Sequence, residues 1–134
     1  MPKAGDSFEI KLKETYLGWG TYRKTDSRPP IKGEGYIPIP LEKAKAFGIF
    51  MSNYEKTGLG YNLFNCESVD GLLNCVLKAA GNTGQGEVYA KQFQGNGNLK
   101  VLGEWYSQVG AEVGDTVKVT WMSPFDIEIE LIKK

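Results

Sequence analysis

The chain has 134 residues, and its 16 Lys and Arg balance its 16 Asp and Glu. It contains no histidine, which excludes an imidazole base, a Ser–His or Cys–His nucleophile pair and a histidine-ligated zinc. No run of eighteen apolar residues is present, so we expect no membrane-spanning helix and no membrane partner. The length suits one domain over residues 1–134, and the polar first residues lack a signal core, so we expect a cytoplasmic protein.

The first half of the chain predicts two strands and a helix. Residues 8–13 alternate apolar and charged side chains, which indicates a half-buried strand with Phe8, Ile10 and Leu12 inward. Residues 36–40 predict a short strand that Pro38 and Pro40 confine to a sheet edge. Residues 41–48 are helix formers and predict a two-turn helix that ends at a glycine.

A hairpin is predicted around Ser-Val-Asp-Gly at residues 68–71. Asp70-Gly71 favours a two-residue type I′ turn, which pairs Phe64 with Leu77 and Cys66 with Cys75. The cysteines would then face each other at a non-hydrogen-bonded position, where a disulfide is conceivable. For a cytoplasmic protein we favour two reduced thiols, and two cysteines cannot close a four-ligand metal site.

The second half continues the β pattern. Residues 87–93 predict a strand with Ala90 and Gln92 on one face, residues 94–98 a polar turn, and residues 99–108 a helix capped by Asn98. Residues 116–122 and 127–133 predict a closing hairpin, and we assign Trp105 and Trp121 to the core. The pattern is that of a mainly β fold with about seven strands and two short helices, barrel-like or sandwich-like.

The segment from residue 16 to residue 40 is the most distinctive part of the sequence. Between residues 11 and 32 six cations stand against two acids, interleaved with Trp and Tyr rings. A long ordered loop of Arg and aromatic residues needs a partner to contact, and our hypothesis is DNA. The neutral total charge counts against a simple electrostatic binder, and scattered solvated lysines explain the cations equally well.

Several motifs resemble one known family. Gly18-Trp19-Gly20 through Arg23, then Tyr36-Ile-Pro-Ile-Pro40, Ala90-Lys-Gln92, Gly97-Asn98 and Leu102-Gly-Glu104 resemble, in the same order, the DNA-binding domain of phospholipase-D-type restriction endonucleases. That domain belongs to the B3-like class also found in plant transcription factors. The resemblance covers residues 8 to about 119. The chain departs from the family pattern at Ser107 and Gln108, which stand where the family has arginines that contact phosphates, and the two cysteines are not part of the pattern.

The resemblance implies a seven-stranded open β-barrel, a DNA-binding pseudobarrel with two flanking helices, that grips the major groove of double-stranded DNA between two arms. The N-arm is residues 19–32 and the C-arm is residues 91–98. Arginine forks suit guanine edges, amides suit adenine edges and lysines suit phosphates. The candidate DNA-binding residues are Trp19, Tyr22, Arg23, Lys24, Arg28, Lys32, Lys91, Gln92, Gln94, Asn96, Asn98 and Lys100.

No catalytic centre is expected in this chain. The phosphodiesterase motif of the family requires histidine, so the domain is expected to bind and not to cut, and a nuclease domain or subunit would do the cutting. No cofactor is expected. An alternative is a carbohydrate- or peptide-binding β module that uses Trp19, Tyr22 and Tyr36 as a stacking surface. A ligand-enclosing barrel and an enzyme that acts through carboxylates such as Glu104 and Asp115 are less favoured.

Overall fold

The computed structural model describes residues 2–13, 17, 35–50, 63–80, 89–98 and 100–134. Across these ranges seven strands form one antiparallel sheet, except that the β3–β7 pair is parallel, and the order is β1-β6-β7-β3-β4-β5-β2. The elements are β1 Ser7–Lys11, β2 Ile37–Pro38, α1 Leu41–Phe47, β3 Leu63–Ser68, β4 Asn74–Ala80, β5 Gln92–Gly95, α2 Val101–Gln108, β6 Thr116–Ser123 and β7 Asp126–Ile132. The sheet curls into a nearly closed barrel, which confirms the predicted mainly β barrel with two helices.

The barrel is filled by the inward residues of the alternating strands. Phe8, Ile10 and Leu12 are buried as predicted. The Trp121 ring is fully buried, and four phenylalanine rings surround it with centroids no more than 6.1 Å away: Phe8, Phe47, Phe64 and Phe93. Trp105 is 1% exposed, so both tryptophans belong to the core, which confirms their assignment.

The two helices lie at opposite ends of the barrel. At the end where β5 begins, Phe47 of α1 packs edge-on against Trp121 at 5.6 Å, and the N–H of Ala90 donates to the carbonyl of Ile49 at 3.0 Å. At the end where β2 begins, the Tyr106 hydroxyl of α2 donates to the carbonyl of Tyr36 at 2.8 Å. We call these the α1 end and the α2 end. No helix in the described ranges has the length and apolarity needed to cross a bilayer.

The barrel is open between β1 and β2, the two edge strands of the sheet. A groove of about 330 Å³ lies between these strands, lined by Ile10, Lys11, Lys13, Pro38, Ile39 and Pro40. The edge position of the proline-containing strand is as predicted. Helix α1 follows it directly and ends at Gly48, whose φ of 71° is the left-handed conformation that glycine adopts without strain.

The β3–β4 hairpin keeps the predicted register, with Phe64 opposite Leu77 and Cys66 opposite Cys75, but the predicted type I′ turn is wrong. The loop has four residues, because Ser68 N–H donates to the carbonyl of Leu73 and Gly71 N–H donates to the carbonyl of Ser68, each at 3.0 Å. Only Gly71 has a positive φ there. The Asp70 carboxylate accepts from the Ser68 hydroxyl and from Leu72 N–H, and this favours the wider loop.

The wider loop changes the environment of the two cysteines. Since Ser68 N–H points to β4, alternation along the ladder makes Cys66 and Cys75 a hydrogen-bonded pair, where Cα atoms lie farther apart than at the predicted non-hydrogen-bonded position. Both thiols are free, as favoured by the sequence. Cys66 is buried and Cys75 is half-buried.

Three boundaries in the second half differ from the prediction. Strand β4 extends to Ala80, two residues beyond the apolar alternation of residues 72–78 that predicts it, and β5 starts only at Gln92. Ala90 and Phe93 are both fully buried although their positions differ by three, an odd number, so the alternation slips by one residue and Gln92 does not share the face of Ala90. Helix α2 begins at Val101, after Asn98 has accepted a hydrogen bond from Lys100 N–H at 3.1 Å. The closing β6–β7 hairpin forms as predicted, with a bulge between Trp121 and Ser123.

Candidate nucleic-acid interface

The proposed interface has two parts, and the structure describes one of them. Six candidate residues of the N-arm lie outside the described residues: Trp19, Tyr22, Arg23, Lys24, Arg28 and Lys32. The structure does describe residues on both sides of the N-arm. Leu17 packs against the hydrophobic core on one side of it, and Gly35 and Tyr36 lead into β2 on the other.

Pairing of β2 with β5 places the residues that follow the N-arm beside the C-arm. Ile37 lies opposite Phe93 and Pro38 opposite Gln92, and the N–H of Ile39 donates to the carbonyl of Lys91 at 2.8 Å. The approach to β2 is close, because a Cβ added to Gly35 would lie 2.9 Å from the backbone of Gly103 in α2. Gly35 and the start of β2, which follow the N-arm in the chain, are therefore held between β5 and α2.

The predicted polar turn over residues 94–98 is too long, because Gln92–Gly95 is a strand that pairs with β4 and β2. Only residues 96–98 turn, with Gly97 at a φ of 82°. Lys91 therefore lies at the α1 end, whereas Asn96, Asn98 and Lys100 lie at the α2 end. At about 3.3 Å per strand residue, the Cα atoms of Lys91 and Asn96 are roughly 16 Å apart. The C-arm residues therefore run along β5, next to the edge strand β2, from the α1 end of the barrel to the α2 end.

Gln92 and Gln94 lie on β5, between the two ends of the C-arm. Both side chains point outward from β5, since Phe93 and Gly95 point inward. The Nε2 group of Gln92 donates to Oε1 of Gln94 at 3.2 Å. This contact leaves an N–H of Gln92 and the amide of Gln94 available for a ligand, in a fixed relative orientation. Two oriented amides offer the mixed donor and acceptor pattern that base edges require.

Asn98 has a structural role as well. Its Oδ1 accepts from Lys100 N–H, and its carbonyl accepts from Val101 N–H at 3.3 Å, so it organises the entry into α2. A Cβ at Gly95 would lie 1.9 Å from the Asn98 carbonyl oxygen, which shows how tightly the turn folds back on the strand. The exposed side chains of Asn96 and Lys100 remain at the surface of this turn.

One residue beside β5 was missed by the sequence reasoning. Lys78 of β4 lies directly opposite Gln94 of β5. The alternation of residues 72–78 could have placed the Lys78 side chain on the outward face, opposite in direction to the buried Leu77. Its neighbour across the sheet could not be read, since no turn signal sets the register between β4 and β5.

The carboxylates considered for catalysis are not arranged as a catalytic pair. Asp115 is fully buried, and it accepts from the Lys133 ammonium and from the backbone N–H groups of Glu112 and Lys134. The hydrogen bond from Lys133 comes first among the causes that hold the pKa of Asp115 down, to about 2, against the opposing effect of burial. Asp115 therefore ties the connector after α2 to the end of β7, a structural role. Glu104 is exposed on α2.

Comparison with known proteins gives a structural match and no sequence match. No family model matches the chain, and no curated protein is similar to it in sequence. The N-terminal domain of Helicobacter pylori LlaJI.R1 is similar in structure, with a TM-score of 0.51 and 10% sequence identity, over 94% of this chain and 79% of that one. At that identity the similarity defines the fold class, a seven-stranded β-barrel domain with flanking helices.

Proposed function

We propose that this chain is a double-stranded DNA-binding domain of the B3-like type that reads a sequence in the major groove through its two arms. The observation that carries the proposal is the pairing of β2 with β5, which places the residues that follow the basic N-arm beside the amide-bearing C-arm. An arginine-rich segment and a row of oriented amides are the two chemistries that base reading requires. In this chain the arginine-rich segment leads into β2, and β2 pairs with the strand that bears the amides.

The structural neighbour supports the setting of this proposal. LlaJI.R1 is a restriction-related protein, and its N-terminal domain has the same barrel fold. We propose that the present domain serves as the target-recognition module of a restriction endonuclease. Its described residues contain no group of three or more metal-ligating side chains, and Asp115 has a structural role. Cleavage would be performed by a nuclease domain or subunit elsewhere.

The test is a fluorescence-anisotropy titration with a random-sequence duplex pool at several salt concentrations from 50 to 200 mM. Each phosphate neutralised by a Lys or Arg contributes about −0.9 to the slope of log affinity against log salt. We expect a slope of several units, and weaker binding by Arg23→Ala at every salt concentration. Lys45→Ala, an exposed cation on α1, is the matched control and should bind as the wild type does.

Absence of binding at 50 mM salt would overturn the proposal. Binding to sugars or peptides that does not depend on salt would favour the alternative, a stacking surface of Trp19, Tyr22 and Tyr36. If binding is salt-dependent, selection from the random pool should enrich a defined sequence, since base contacts and not phosphate contacts carry the information.

A further inference from the structure

Charge is unevenly distributed over the outward face of the sheet. On β3 and β7 the outward side chains include four carboxylates, those of Glu67, Asp126, Glu128 and Glu130, and no cation. Glu67 and Glu128 are direct neighbours across the parallel β3–β7 pair. Like charges opposite each other destabilise a sheet, and the field of this half repels a polyanion.

The neighbouring strands β4, β5 and β2 of the same sheet carry no outward carboxylate. The outward side chains of β4, β5 and β2 include Asn74, Gln92 and Gln94, and a single charged group, the Lys78 ammonium. Among the described residues none accepts a hydrogen bond or forms an ion pair with it. Its neighbours across the sheet are Leu63 on β3 and Gln94 on β5, neither of them an acid. Folding therefore gives this cation no partner within the described residues.

We propose that the DNA lies across the outward faces of β4, β5 and β2, with the Lys78 ammonium bonded to a backbone phosphate, an inference that rests on the DNA-binding function proposed above. Lys78 is then a positioning contact beside Gln94, because a phosphate held at Lys78 fixes which base edge the amide of Gln94 can reach. The carboxylates of β3 and β7 lie on the side facing away from the duplex. The C-arm residues from Lys91 to Asn96, which follow β5, then lie along the bound duplex.

The experiment compares two half-buried strand lysines by anisotropy with the random-sequence duplex pool. Lys78→Met keeps the aliphatic stem and removes the charge, and Lys118→Met does the same on β6, where Lys118 lies between Glu9 and Glu130. We expect Lys78→Met to reduce the steepness of the salt slope by about one unit and to weaken binding about five- to tenfold near 0.1 M salt. Lys118→Met should bind as the wild type does, and Lys78→Arg should restore both values.

A gain of charge provides the reverse test. Val76 is 37% exposed and lies on the same face of β4, two residues before Lys78, whereas Met122 is 57% exposed beside the acidic half. Val76→Lys should strengthen binding and steepen the slope by about one unit, and Met122→Lys should change neither. Circular dichroism spectra establish that each variant is folded.

The possible outcomes separate this inference from the proposed function. If the wild type binds with a steep salt slope and Arg23→Ala weakens it, while Lys78→Met equals the wild type, the placement of the duplex is wrong and the DNA-binding function stands. Equal losses for Lys78→Met and Lys118→Met would also overturn the placement. A wild type that does not bind DNA overturns both.

Discussion

The indole N–H of Trp105 donates to the carboxylate of Asp70, 3.2 Å from Oδ2, and joins helix α2 to the loop of the β3–β4 hairpin. The same carboxylate accepts from the Ser68 hydroxyl and from Leu72 N–H. Desolvation raises the pKa of Asp70, but these hydrogen bonds from Ser68, Leu72 and Trp105 outweigh it and leave the pKa below its ordinary value. One side chain thus shapes a loop and fixes the position of a helix 35 residues away.

The two core tryptophans give a matched pair of substitutions. Trp105 has this hydrogen bond, whereas the Nε1 of Trp121 has no acceptor among the described residues. Replacement by Phe removes a similar volume at both sites, so the difference reports mainly the hydrogen bond. We expect Trp105→Phe to lower the unfolding free energy by about 1–2 kcal/mol more than Trp121→Phe, measured by urea denaturation.

A double-mutant cycle tests the assignment of that difference to Asp70. Trp105→Phe and Asp70→Ala should be non-additive by about 1 kcal/mol. Additive effects, or a larger loss for Trp121→Phe, would show that the hydrogen bond contributes nothing to stability.

The buried Asp115 predicts how stability responds to acid. Its pKa falls from an ordinary 3.8 to about 2 in the folded protein, so the folded state binds fewer protons than the unfolded state between those values. The stabilisation is complete above about pH 4 and is lost as the pH falls towards 2. Asp115→Asn should lower the melting temperature at neutral pH and show a flatter decline from pH 4 to pH 2. Glu130→Gln on β7 is the control, and a wild-type slope retained in Asp115→Asn would contradict the assignment.

The paired thiols should differ in reactivity. The hydrogen bond between them and burial both raise the pKa of Cys66, whereas the same hydrogen bond lowers the pKa of Cys75 against the effect of burial. The thiolate is the reactive form, so iodoacetamide should alkylate the half-buried Cys75 several times faster than Cys66 at pH 8, as measured by peptide mass spectrometry. Cys66→Ala should slow alkylation of Cys75. Equal alkylation rates at the two thiols would show that the hydrogen bond between them does not set their reactivity.

Two glycines of the C-arm should respond differently to alanine. At Gly95 a Cβ would overlap the Asn98 carbonyl oxygen and lie 2.5 Å from Val101 Cγ1, so Gly95→Ala must displace the turn from α2. At Gly97 the space is open, and only the φ of 82° opposes a side chain. We expect Gly97→Ala to cost about 1–2 kcal/mol of unfolding free energy and Gly95→Ala more, with a loss of DNA affinity. A Gly95→Ala protein as stable as the wild type would show that the turn can move to accommodate a Cβ at this position without cost.

Base reading and phosphate binding should separate at neighbouring residues. Gln94→Ala should relax the preference of the domain for its selected sequence, by about 1–3 kcal/mol at one base pair, and leave the salt slope unchanged. Lys78→Met should leave the sequence preference unchanged and make the salt slope less steep. Competition titrations with duplexes altered one base pair at a time measure both quantities. The division of roles fails if Gln94→Ala weakens all duplexes equally.

What the sequence predicted correctly depended on local pattern. The register of Cys66 and Cys75 survived an incorrect turn type because a two-residue and a four-residue loop centred on Asp70 and Gly71 give the same pairing. The turn type itself depended on side-chain oxygens of Ser68 and Asp70 competing for backbone donors, which residue types alone do not decide.

What the sequence did not predict depended on distant partners. The late start of β5 follows from Lys91, whose N–H donates to Ala80 while its carbonyl accepts from Ile39. Neither partner is near it in the chain, so alternation within residues 87–93 could not show the slip. Lys78 was passed over for the same reason, since its place beside Gln94 exists only once β4 and β5 are paired.

Pro38 of β2 and Pro40 shortly after it have a consequence for how molecules of this protein meet one another. Because the N–H of Ile39 points to β5, alternation turns the nitrogens of Pro38 and Pro40 towards the open side of the barrel, where they have no hydrogen to donate. A strand from a second molecule that approached this edge would find no backbone N–H donor at these two positions. This edge is therefore a poor site for pairing with a strand of a second molecule, and β2 can border the opening of the barrel without extending the sheet into a neighbour.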